Sequence, residues 1–187
     1  MVAKRLSLGD EWRVNPIAAC ADRAPVQRVA LITEAFLPKV DGVSKLTALT
    51  ARHHLNMERE VLIYAPSLTI GDLRTPAHLD GARVVAVPSL HLPLVPPESR
   101  LGFPYLKLGD LWRFQPDLIH LFSPAALAWT GVHYTRYHRV PLVANYQTDL
   151  PGYTQRYGVG GLEGVAWTYV RHLHSKATLT LVPTQHN

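Results

Sequence analysis

The run Val29-Ala30-Leu31-Ile32-Thr33 most narrows what this chain can fold into. Such a run of apolar and β-branched residues is too short for a buried helix and suits a strand covered on both faces. The surrounding stretch, residues 28–46, continues with a loop broken by Pro38 and Gly42. From Val43 the pattern changes. Val43, Leu46, Leu49, Thr50 and His53 recur at three- and four-residue spacing, which predicts an amphipathic helix running to about Asn56. Ser44, or Asp41 just before Gly42, can cap its first turn. Strand, glycine-containing loop and helix N-terminus together offer an anion unpaired N–H groups and a partial positive charge. Gly42 has no Cβ, so a ligand can come close to the backbone. A plain β–α turn that happens to contain a glycine explains the same residues equally well.

The alternation continues along the chain. Apolar runs at 60–65, 83–87, 117–122, 141–146 and 178–182 predict further strands. Helices are predicted over 105–114, 125–138 and 162–176, the last with Leu162, Val165, Ala166, Tyr169, Val170 and Leu173 as its apolar face. Between them, 88–104 holds prolines 88, 93, 96, 97 and 104 among leucines, and proline supplies no N–H to a ladder. An ordered but irregular loop is expected there. Continuous apolar strands with intervening helices specify an α/β fold, a Rossmann-like doubly wound parallel sheet. In such sheets ligands bind beyond the carboxyl ends of the strands, so the loops after Thr33, Ala65, Val87, Phe122 and Tyr146 are the ones to inspect.

The 187 residues fit one domain with a short addition, read as a polar extension over 1–27 and a domain over 28–187. Asp10, Glu11 and Arg13 interrupt any apolar core of a signal peptide, and no stretch approaches the roughly 18 apolar residues that span a bilayer. Cys20 is the single cysteine, which excludes an internal disulfide and points to a cytoplasmic location. The net charge of +5 favours anionic partners, namely nucleotide phosphates or the anionic face of an inner membrane. The basic residues form no run, so nucleic acid is not expected as a partner.

No G-x-G-x-x-G follows the first strand and no Gly-Lys-Ser/Thr occurs, which removes the main support for a nicotinamide cofactor or a P-loop; no cofactor is expected. The histidines lack metal-site spacing: His53 and His54 are adjacent, and His172 and His174 diverge on a helix, so no metal is expected. His120, inside an apolar strand, reads as a core histidine bonded to a neighbouring loop. Gly158-Val159-Gly160-Gly161 reads as a flexible helix entry or as a phosphate nest. Arg171, His172, His174 and Lys176 suit the dipole at a helix C-terminus.

The blocks RVALITEAFLPKVDGVSK, EVLIYAP, QPDLIHLFSP, VPLVANYQTDLPGYTQRYG and ATLTLVPT, in that order and spacing, resemble the N-terminal domain of family 4 retaining GT-B glycosyltransferases. The nearest subgroups are the lipid-directed α-mannosyltransferases and the sulfoquinovosyl and glucosyl transferases. The resemblance runs from Arg28 to about Thr184. It implies one of two Rossmann-like domains, holding a lipid or glycan acceptor, while a second domain grips the nucleotide-sugar donor. By the same resemblance Gln147 and Asp149 are catalytic, and Gly42, Val43, Ser44, Lys45, Ser123, Tyr146 and Thr148 bind donor or acceptor. Gly42 approaches the donor phosphate, and the loop carrying Gln147, Thr148 and Asp149 lies near the reacting sugar.

The family usually has histidine where this chain has Gln147; glutamine can hydrogen-bond but cannot carry a proton. Met57-Glu58-Arg59 replaces the usual glycine-containing turn. The sequence stops at Asn187, before any donor-binding domain, so the isolated chain is expected not to transfer sugar. Peripheral membrane contact is a further expectation. The rival readings are a non-catalytic module that binds lipid, glycan or protein through the same cleft, and an ordinary nucleotide-binding Rossmann enzyme.

Overall fold

A computed structural model describes residues 25–91, 96, 98–147, 152, 161 and 163–182. In chain order the elements are β1 (Arg28–Ile32), α1 (Gly42–Asn56), β2 (Glu60–Pro66), β3 (Thr69–Ile70), β4 (Leu73–Arg74), β5 (His78–Leu79), β6 (Ala82–Val87), β7 (Ser89–His91) and β8 (Arg100–Gly102). They continue with α2 (Leu108–Phe114), β9 (Leu118–Leu121), α3 (Ala128–His138), β10 (Leu142–Asn145), α4 (Glu163–His174) and β11 (Leu179–Leu181).

The main sheet has the order β11-β10-β9-β1-β2-β6-β5. The six apolar runs expected from the sequence pair in parallel throughout, with β1 between β2 and β9. β5 adds an antiparallel edge beside β6, closed by Asp80 (φ 51°) and Gly81 (φ 102°). Two successive positive φ values mark the turn that matches strand twist in a two-residue hairpin.

Alternation along β1 divides the core. Ala30 and Ile32 face Leu111, Leu127, Val132 and Leu173, under α2, α3 and α4. Val29 and Leu31 face Ala51 and Phe122, under α1. Helices therefore cover both faces. Gly131 lets α3 lie close: a Cβ there would sit 2.9 Å from Ile32 Cδ1 and from Leu121 Cδ2.

Local details depart from the sequence reading. The buried face of α1 is Ser44, Thr47, Ala51 and His54, while Leu49 is 59% exposed and Leu46 is also exposed. Small and hydroxylated residues let the helix sit near the sheet, and Thr47 satisfies its own hydroxyl by donating to Val43 O at 2.9 Å. On α4 the buried residues are Ala166, Val170 and Leu173, and Val165 is exposed; Leu162 lies outside the described residues. The 105–107 segment is a turn rather than helix, because Tyr105 and Lys107 take left-handed backbone. The expected irregular loop over 88–104 contains a β7–β8 antiparallel hairpin. Pro88 and Pro104 flank its strands instead of interrupting them, where a missing N–H costs no ladder bond.

Candidate functional site

The chain runs β1 to β2 to β6 on one side of β1, then returns to its other side with β9 and β10. This reversal places a crevice at the carboxyl ends of β1 and β9, the position where open α/β sheets hold ligands.

On one wall stands the N-terminus of α1. Asp41 caps it, its carboxylate accepting from Ser44 N at 2.8 Å while Ser44 Oγ accepts from Asp41 N at 2.8 Å. Lys39 Nζ lies 3.2 Å from the same Asp41 carboxylate. The chain's own anion thus occupies part of the helix terminus, and Lys45 N bonds to Asp41 O. The amides of Gly42 and Val43, in the first turn, have no intrahelical partner. Gly42 needs no special backbone conformation, and a Cβ there would meet nothing within 4 Å. Packing therefore does not require a glycine here. Lys45 is exposed and Val43 leans on the core under α1.

On the other wall are the ends of β9 and β10. Ser123 is buried and its Oγ accepts from Glu34 N at 3.4 Å. Gln147 Nε2 donates to Phe122 O at 3.1 Å, which orients its amide beside Ser123. Tyr146 donates its amide to Leu181 O and its ring stacks on Trp167, with centroids 6.4 Å apart. Thr148 and Asp149 lie outside the described residues. Gly42, Val43, Ser44 and Lys45 thus form one group and Ser123, Tyr146 and Gln147 a second, both at the carboxyl edge of the sheet.

Glu34 braces the second wall, its N–H donating to Ser123 Oγ, and nothing in its sequence context singles it out. It follows buried Thr33, where an acidic residue next to an apolar run reads as the start of a solvent-facing loop. In the fold one carboxylate oxygen accepts from Leu127 N at 2.6 Å and the other from Gly102 N at 2.9 Å. Burial pushes its carboxyl up to about 7, while the Leu127, Gly102 and Ala126 amides pull it down. Glu34 therefore ties the end of β1 to β8 and to the entry of α3.

His120 is buried, its Nε2 2.9 Å from Asn145 Oδ1 on the adjacent strand rather than on a loop, and its ring packs on Phe122. Burial holds its pKa below the ordinary imidazole value, so the ring is neutral near pH 7. Arg171 lies over the Trp167 ring, 5.8 Å from its centroid, and His174 Nδ1 is 3.1 Å from Thr180 Oγ1, so that end of α4 is engaged structurally. Of the glycine cluster only Gly161 is described. Among the described residues no group of three or more His, Cys, Asp or Glu could hold a metal ion, and no helix is long and apolar enough to cross a membrane.

Comparison with known proteins adds the following. Residues 40–186 match the family model described as Glycosyltransferase Family 4. A GDP-mannose-dependent alpha-mannosyltransferase of Mycobacterium tuberculosis is 42% identical over 158 residues, which cover 84% of this chain and 42% of that protein. Its namesake in Mycolicibacterium smegmatis is 40% identical over 158 residues, with the same coverage. A sulfoquinovosyl transferase of Arabidopsis thaliana is 34% identical over 111 residues, 58% of this chain and 22% of that protein. The chain thus spans about two fifths of the length of the mannosyltransferases it matches.

Proposed function

The chain belongs to glycosyltransferase family 4, and from that membership we infer that it is the acceptor-side domain of an enzyme moving a sugar, with retention, from a nucleotide-sugar to a lipid or glycan acceptor. Mannose from GDP-mannose is the donor that the relatives' names favour. The observation that carries this reading is the family match over 40–186, which includes both walls of the crevice.

The described residues suit positioning more than proton transfer. The free amides of Gly42 and Val43 can meet one phosphate oxygen, a contact worth roughly 0.3–2 kcal/mol at a helix terminus. Enzymatic rate gains need about 8 kcal/mol or more. Gln147, its Nε2 held by Phe122 O, offers its oxygen and remaining N–H to a sugar hydroxyl but no titrating proton. Ser123 supplies a hydroxyl next to it. Thr148 and Asp149 complete that loop in this proposal, with Asp149 beside the reacting sugar. The groups that neutralise the leaving diphosphate are assigned to a donor-binding domain, so the isolated chain is inactive in this reading.

Peripheral contact with anionic membrane belongs to the same proposal. Trp112 and Tyr137 are stacked and solvent-exposed on α2 and α3, with Arg113 and Arg139 nearby in the chain. Aromatic and basic side chains together suit a lipid interface.

The test is a radiolabelled GDP-mannose assay with lipid acceptors, run on the chain alone and on a fusion to the donor-binding half of the M. tuberculosis relative. The expected result is transfer by the fusion alone, lost in Gly42→Trp and increased in Gln147→His. Turnover by the isolated chain that Gly42→Trp abolishes would refute the division of labour.

A further inference from the structure

Beside the crevice, at the carboxyl ends of β2 and β6, an open cavity of about 430 Å³ is lined by Ser67, Ala86, Pro88, Ser89, Arg100 and Lys107. Its size suits a sugar-sized group. Among the described residues, two of its six lining residues are cations and none is an acid.

Arg100 is held in place rather than free to sweep. Its Nε donates to Ser89 Oγ at 2.6 Å and its Nη2 to Ser89 O at 2.8 Å. Ser89 Oγ in turn donates to Ser67 O at 2.5 Å. A guanidinium has five N–H donors in a fixed fork, so three remain for a ligand. Arg100 has no carboxylate partner among the described residues; the ion pairs there use Arg28, Lys39, Arg52, Arg83 and Arg113 instead.

Lys107 also lacks a partner among the described residues and sits in a turn that is itself anchored. Tyr105 N donates to Thr130 Oγ1 at 3.0 Å, and the buried Tyr64 hydroxyl donates to Leu106 O. The strand bearing Arg100 is fixed at both ends, by Gly102 N on Glu34 and by Lys39 Nζ on Ser99 Oγ at 3.2 Å. Two unneutralised cations on braced backbone, sharing one cavity, cost stability through mutual repulsion unless an anion joins them.

We propose that this cavity is a subsite for an oxyanion, a phosphate or carboxylate, carried by the sugar acceptor, with Arg100 gripping it through its free guanidinium edge and Lys107 adding a point charge. The proposal rests on the glycosyl-transfer reading above and names the acceptor's class: an acidic rather than a neutral one. Ser99, next to Arg100 in the chain, accepts from Lys39 Nζ on the loop that leads to Gly42, so an acceptor anchored here reaches toward the crevice.

The test is direct binding to the 187-residue chain by calorimetry, using a hexose 6-phosphate, the parent hexose and inorganic phosphate as probes. The hexose phosphate should bind at least about tenfold more tightly than either of the others. Lys107→Gln and Arg100→Gln should each reduce that gap to within about threefold, and Arg100→Lys should retain part of it. If Arg100→Gln fails to fold by circular dichroism because Ser89 loses its partner, the exposed Lys107→Gln decides alone. Equal binding of the hexose and its phosphate, or a gap unchanged in Lys107→Gln, overturns the proposal. Inorganic phosphate binding as tightly as the hexose phosphate also overturns it, since the site would then hold a free anion. Transfer by the two-domain fusion without any anion preference overturns the subsite and leaves the family reading intact. A strong anion preference in a chain whose fusion transfers no sugar overturns the acceptor assignment.

Discussion

At Glu34 each carboxylate oxygen receives a backbone N–H, so glutamine can satisfy only one of them. Its amide nitrogen would face the other donor and leave it unpaired. Glu34→Gln should therefore lower stability by about 1–3 kcal/mol in denaturant unfolding, whereas an ordinary surface substitution stays within about 0.5 kcal/mol. His54 makes a second residue-scale prediction. Burial, followed by the nearby Arg59 charge, lowers its pKa from 6.5 to about 4, and its Nδ1 lies 3.0 Å from Arg59 Nη1. The unfolded chain thus takes up the proton first as the pH falls. Stability from the neutral ring is present above 6.5 and is lost as the pH falls from there through about 4. Allowing for solvent screening, the loss is about 1–2 kcal/mol. His54→Gln should flatten that part of the stability–pH curve. His120 acts in the same direction, so some slope should survive. None of this was readable from residue type alone, because both effects come from backbone or side-chain groups brought in by other elements.

Elements were more legible than the faces they bury. Apolar runs flanked by breakers marked every strand of the parallel sheet, since a strand covered on both sides must be apolar throughout. The face of α1 was misjudged because Leu46 and Leu49 drew the helical period toward themselves, while Ala51, Thr47 and Ser44 made the close contact. The β5–β6 hairpin, by contrast, carries its signal in the chain, since Asp80-Gly81 is a strong two-residue turn pair. Gly131 tests element packing. An alanine in a helix normally gains about 1 kcal/mol over glycine. At position 131 the added methyl would press on buried Ile32, Leu121 and Ile119, which cannot retreat. Gly131→Ala should instead destabilise the fold by about 1–3 kcal/mol, measured by thermal unfolding. Gly42→Ala, with open space at its Cβ, is the matched control and should leave stability unchanged or raise it.

Across the whole molecule, the fold was legible because it depends on repeated local pattern, and the cavity beside Arg100 and Lys107 was not because it depends on assembly. Its described lining comes from β6, β7, β8, the residue that follows β2 and a turn, with nothing in the spacing of Ser67, Ser89, Arg100 and Lys107 to join them. The position of β1 at the centre of the sheet has one more consequence, in the timing of synthesis. One edge of β1 can pair with β2 soon after both leave the ribosome, but its other edge waits for β9. The lock on that side is Asp117, whose carboxylate accepts from Arg28 N at 2.9 Å across a separation of 89 residues. Until then the nascent chain carries an apolar strand with an open ladder, the state most prone to pair with a neighbour. A chain ended at residue 116 should pellet in sedimentation assays at concentrations where the full chain stays dispersed. Chaperone dependence during translation should fall once β9 has emerged.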